Sequence, residues 1–149
     1  MSNILQELKT NRHSYYNLLM DNISDYIYRE KRYSTRFSIV IIYNENSVLS
    51  DISSLPNNLR ETDKLLPINE HLIYAIFDAV NDDSYLKAAE NLCKTLQKSH
   101  FKEKFFSSTA TSAEFNGNYL DMTNKLFERL EYAIRNNLFN SVVYQDYII

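Results

Sequence analysis

The chain has 149 residues, 44% of them hydrophobic and 23% charged, with a formal charge of −3. That composition describes one globular domain with a core large enough to need no staples, and its acidic balance argues against sequence-independent binding along nucleic acid. One cysteine excludes an internal disulfide or a cysteine-rich zinc site, and one glycine, Gly117, leaves no glycine-rich loop to cradle phosphate.

Residues 3 to about 33 carry apolar side chains at three- and four-residue steps, from Ile4, Leu5 and Leu8 through Tyr15, Leu18, Leu19, Ile23 and Ile27. This predicts one long helix or two joined ones. Its tyrosines (Tyr15, Tyr16, Tyr26, Tyr28, Tyr33) are expected to flank the core with hydroxyls in water. Arg29, Lys31, Arg32 and Arg36 read as a solvated basic face rather than a nucleic-acid surface. An excess of aromatics there would favour a homodimer or a partner protein. Phe37 to Tyr43 is a short apolar run rich in β-branched residues, which suits a strand buried on both faces. A turn and cap at Asn44 to Ser47 lead into a short helix that Pro56-Asn57-Asn58 disrupts.

Asp63 to Ile68 and His71 to Phe77 read as a hairpin turning at Asn69-Glu70, with Asn69 able to take a left-handed conformation. Asn81 to Ser84 cap a helix whose inner face holds Leu86, Ala89, Leu92, Cys93 and Leu96, so Cys93 is a small core side chain. Phe105 to Ser112 is a further strand. Leu126, Leu130, Ala133 and Ile134 mark the inner face of a last helix ending near Asn136-Asn137, and Val142 to Tyr144 form a final strand. His13, His71 and His100 stand apart, without metal-ligand spacing. The expectation is one α+β domain, with an N-terminal helical segment (1–33) and a mostly antiparallel sheet-and-helix core (37–145). No apolar run reaches membrane-span length and Met1 to Ile4 open no secretory leader, so a cytoplasmic location is expected.

The most informative stretch is Arg60-Glu61-Thr62-Asp63, five residues, then Asn69 to Ile73 (N-E-H-L-I), then the apolar Tyr74 to Phe77. It resembles the GGDEF domains of diguanylate cyclases, which show R-x-x-D, five residues, GG(D/E)EF and an apolar strand. Further likenesses are Asn11-Arg12 at the family's N-R entry, and Tyr132, Ala133 and Asn140 near its C-terminal motif. There Arg135 replaces a lysine and Phe139 an arginine that faces phosphate.

The resemblance implies a nucleotidyl-cyclase-like sheet of the ferredoxin-like palm type, an active site at the hairpin, and an inhibitory cyclic di-GMP site at R-x-x-D. At the active-site positions Tyr43 stands for a metal-binding aspartate, and Glu45 keeps a carboxylate at the second acidic position. Asn69 and Glu70 stand for the turn glycines, and His71 and Leu72 for the acidic pair. Asn46 to Leu59 is too short for the family's two substrate-contacting helices. Phosphoryl transfer rests on positioning and on metal charge, and a hard divalent cation wants carboxylate oxygens. Cyclase activity, and with it a bound metal or cofactor, is therefore not expected.

Arg60 and Asp63 suit guanine, the arginine fork meeting O6 and N7 and the carboxylate accepting from N1 and N2. For that, both side chains should be accessible, with a second arginine supplied by Arg36, Arg129 or Arg135. The alternative is an exposed ion pair of little worth. The leading reading is an inactive GGDEF-like signalling module that receives cyclic di-GMP. The others are a protein-interaction scaffold without a nucleotide ligand, and a residual GTP-binding cyclase.

Overall fold

The computed structural model describes residues 2–45, 59–99, 105–145 and 147–149. In chain order these form α1 (Ser2–Asn22), α2 (Ser24–Tyr33), β1 (Ser38–Asn44), β2 (Lys64–Pro67), β3 (Leu72–Phe77), α3 (Ser84–Ser99), β4 (Phe105–Thr111), α4 (Tyr119–Arg135), β5 (Val142–Tyr144) and β6 (Tyr147–Ile148). The expected short helix after Ser47 and the expectation for His100 fall outside the described residues.

The strands make one sheet in the order β2-β3-β1-β4-β5-β6. It is antiparallel throughout except between β4 and β5. This is the α+β, cyclase-like sheet expected from the sequence, with the two-residue β6 added at one edge. At the other edge lies β2, four residues long and ending in Pro67.

β1 is buried along all seven residues because helices cover both faces of the sheet. Strand alternation divides its side chains between two cores. Ile39, Ile41 and Tyr43 join Leu72, Tyr74, Ile76 and Phe106 under the N-terminal helices and α4. Val40 and Ile42 join Ile73, Ala75, Phe77 and Phe105 under α3, through Tyr85, Ala89, Leu92, Cys93 and Leu96. Cys93 is buried and its thiol is pushed up to about 11 by that burial, as befits a core side chain.

The N-terminal segment is two helices broken at Ile23, and Ile4, Leu8, Tyr15, Leu19, Ile23 and Tyr26 all enter the first core. α2 stops at Ser34, which takes a left-handed conformation with φ 57° and donates its N–H to Glu30. At the start of α3, Asn81 accepts from the N–H groups of Asp83 and Ser84, while Ser84 accepts from the N–H of Asn81. β4 passes under α4 on small polar residues whose hydroxyls bond to backbone carbonyls: Ser108 to Leu126 at 2.7 Å and Thr109 to Ile39 at 2.9 Å. No described helix is long and apolar enough to cross a membrane.

The hairpin differs in detail from expectation. Pro67 pairs with Ile73, so the connection is wider than a two-residue turn. Asn69 is not among the positive-φ residues. Its side-chain oxygen instead accepts from the N–H groups of His71 (2.8 Å) and Leu72 (3.0 Å), closing the loop by side-chain chemistry.

Candidate functional site

The hairpin of β2 and β3 has a base, at Arg60–Asp63 and Asp78, and a tip, at Asn69–Leu72. At the base a turn forms at residues 60–63, with the Asp63 N–H donating to the Arg60 carbonyl at 3.0 Å. The Asp63 carboxylate accepts from the backbone N–H of Arg60 and from that of Asp78, both at 2.9 Å. Its side chain is only 3% exposed. The expectation that both R-x-x-D side chains reach solvent is therefore corrected. Asp63 is a buried clamp between two backbone segments, and its oxygens are occupied before any ligand arrives.

Arg60 is different. Its side chain is 58% exposed, and its contacts to the Asp63 carboxylate are long, 3.4 Å from both Nε and Nη2. Nη2 also donates to the Asp78 carbonyl. Two backbone N–H donors also meet the Asp63 carboxylate, so Arg60 is not its sole partner.

Arg60 borders a cleft of about 390 Å³ whose walls are the 60–63 turn, the end of β3 and the first turns of α3. Lys87 and Asn91 line the α3 side, and Leu59, Phe77 and Leu92 give it an apolar floor. Cleft size and lining, apolar with a few charged groups, suit a small ligand.

Behind the cleft, Arg29 of α2 pairs with the buried Asp78 carboxylate at 3.2 Å and lies 4.9 Å over the Tyr26 ring. The Tyr26 hydroxyl donates to the Thr62 carbonyl at 2.7 Å. Of the three arginines expected as second contributors, Arg36 comes to this end of the sheet. Its carbonyl accepts from Val80, and its guanidinium lies 3.5 Å from Glu30. Arg129 is bound to Glu114 at 2.7 Å and to the Thr109 carbonyl, and Arg135 sits 3.7 Å from Glu131, both on α4 across the sheet from α3. Sequence reasoning missed Lys87, Asp78 and the pairing of Arg29. Nothing local marks them, since Arg29 and Asp78 meet only through the tertiary fold.

At the tip, α1 lies against the loop. The Tyr15 hydroxyl donates to Glu7 at 2.9 Å, and the Asn69 amide donates to Glu7 (3.4 Å) and to the Tyr15 oxygen (3.3 Å). Burial, then the bond to Glu7, pushes the Tyr15 phenol up to about 12. The hydroxyls of Tyr15 and Tyr26 thus find protein partners rather than water, whereas Tyr28 and Tyr33 are exposed as expected.

Tyr43 is buried and stacked on Phe106 with centroids 6.2 Å apart, and burial raises its phenol pKa. Leu72 is fully buried in the first core and Ile73 is buried in the second. His71 is half-buried, with Nδ1 3.1 Å from the Asn44 carbonyl, while Glu45 and Glu70 are exposed.

Strand order and helix placement define an α+β domain of the nucleotidyl-cyclase type, and comparison with known proteins narrows this further. No family model and no curated protein matches the sequence. Solved structures do. The GGDEF domain of YfiN (TpbB) from Pseudomonas aeruginosa superposes with a TM-score of 0.72 at 12% identity, covering 87% of this chain and 94% of that one. A DGC protein from Thermotoga maritima gives 0.63 at 12% identity, over 80% and 93% of the two chains. A microbial GGDEF domain described in its interaction with cyclic di-GMP gives 0.61 at 11% identity, over 85% and 90%. The chain has the GGDEF-domain fold.

Proposed function

We propose that the protein is a non-catalytic GGDEF-type signalling module that receives cyclic di-GMP in the cleft beside Arg60. The observation that carries this is the state of Arg60. It is a half-exposed guanidinium held by long contacts to a carboxylate that two backbone N–H groups already satisfy. Its fork suits the O6 and N7 edge of guanine, and Lys87 across the cleft suits a phosphate oxygen. Asp63 supports the site by fixing the loop rather than by touching the base. A structural neighbour is described with cyclic di-GMP, which supports that choice of ligand.

The non-catalytic half of the reading rests on the tip. A magnesium ion wants several hard oxygens, and the residues at the expected metal positions do not fit one. Tyr43 is a buried phenol held neutral by its surroundings, and Glu45 is a single exposed carboxylate. Leu72 occupies the core where an acidic side chain would be needed.

Calorimetry tests the proposal. Cyclic di-GMP should bind the wild type and GTP should not. Arg60→Ala should weaken binding by about 5- to 150-fold without changing the fold, since a bidentate contact to a base is worth about 1–3 kcal/mol. No heat at high micromolar ligand would defeat the receptor half, and cyclic di-GMP formed from GTP with magnesium or manganese would defeat the other. The interaction-scaffold reading would then stand on the exposed Tyr28 and Tyr33 of α2.

A further inference from the structure

We propose that Arg29, which does not line the cleft, is the positioning residue that keeps Arg60 available to ligand by neutralising Asp78. The inference rests on the receptor reading above and adds a residue from a different element to the site. The Asp78 side chain is 7% exposed and, unlike that of Asp63, is met by no backbone N–H among the described residues, so its charge needs a cation. Among the described residues Arg29 is the one that pairs with it, at 3.2 Å.

A second guanidinium already touches the same residue, because Arg60 Nη2 donates to the Asp78 backbone carbonyl. Asp78 therefore has two arginines at hand. Arg29 serves its carboxylate, and Arg60 rests on its main chain. Removing Arg29 leaves a buried negative charge, and Arg60 is the neighbouring fork able to answer it. The guanidinium that should read the ligand would then be consumed inside the protein. The uncompensated carboxylate would also repel an anionic ligand.

Arg29 is well placed to prevent this. Tyr26, the ring beneath it, is tied through its hydroxyl to the carbonyl of Thr62, the residue before Asp63. α2 thus registers Arg29 against the same loop that carries Arg60.

A merely structural ion pair would also destabilise the protein when broken, so the test must separate the two roles. Asp78→Asn removes the competing charge while leaving intact the backbone N–H and carbonyl that serve Asp63 and Arg60. Cyclic di-GMP titrations are made on the wild type, Arg29→Gln, and Arg29→Gln with Asp78→Asn. Arg29→Gln should weaken binding by about tenfold or more, the size of one withdrawn charged hydrogen bond. The double variant should recover most of it.

In the same proteins without ligand, the Arg60 Nε–H resonance, assigned by its loss in Arg60→Ala, should exchange more slowly with water in Arg29→Gln alone. Unchanged affinity in Arg29→Gln, or a double variant as weak as the single one, overturns the proposal. If the wild type gives no heat, the receptor reading fails by itself. The Arg60 resonance then decides this one: slowing confined to Arg29→Gln supports it, and no slowing overturns it.

Discussion

The two ends of one hairpin have opposite fates. At the base, backbone N–H groups satisfy the Asp63 carboxylate, and the arginine beside it keeps only long contacts to that carboxylate, one bond to the Asp78 carbonyl and solvent on one side. At the tip, side chains satisfy the backbone, α1 presses Glu7 and Tyr15 onto Asn69, and Leu72 belongs to the core. A residue is available for a ligand only after the fold's own polar requirements have been met by something else. The base meets that condition and the tip does not.

The largest expected effect comes from trying to reverse this at the tip. Leu72→Glu restores an acidic side chain at the catalytic position of the resembled motif, but places it in a fully buried apolar site. An unpaired buried charge should cost more than about 4 kcal/mol, so the variant should lack a cooperative urea transition rather than gain activity.

At the base, Asp63→Ala and Arg60→Ala should separate sharply. The first strands two N–H groups and should cost about 2–4 kcal/mol in urea denaturation. The second removes a half-exposed cation with long contacts and leaves the carboxylate its two N–H donors, so it should cost less than the first. Equal costs would mean that Arg60 and Asp63 act as one unit, with the arginine held as firmly as the carboxylate.

Asn69→Ala should cost about 1–2 kcal/mol and raise amide exchange in the first turns of α1, because one side chain closes the loop and holds the helix. Tyr15→Phe should cost about 1 kcal/mol at neutral pH. It has a pH signature. The folded phenol titrates at about 12, above the value near 10 of an unfolded tyrosine. Its contribution is whole below about pH 10 and drains as pH climbs towards 12. Tyr15→Phe should lose stability less steeply over that window.

Much of the architecture was legible because it is written in local pattern. The apolar run from Phe37 gave the central strand, the spacing from Arg60 to Phe77 gave the hairpin, and four-residue steps gave the inner faces of α3 and α4. The site was legible only in part. R-x-x-D singled out the loop that borders the proposed cleft, but the burial of Asp63 depends on the N–H of Asp78, which no local pattern announces. Arg29 looked like one more cation in a solvated run because its partner is supplied by tertiary structure. The Asn69 clamp required knowing where α1 lies. β6, two residues long, has too little sequence to show a period.

Among the described residues β2 is an edge strand of the sheet, and this bears on self-association. An open strand edge invites another chain to continue the sheet, and proteins blunt such edges by shortness, lysine and proline. β2 has all three. It is four residues long, its Lys64 ammonium lies 3.3 Å from the Asn22 carbonyl, and Pro67 has no N–H to offer. A second copy arriving at this edge finds a template too short and missing a donor, so sheet-to-sheet polymerisation is discouraged on the side of the molecule that carries Arg60.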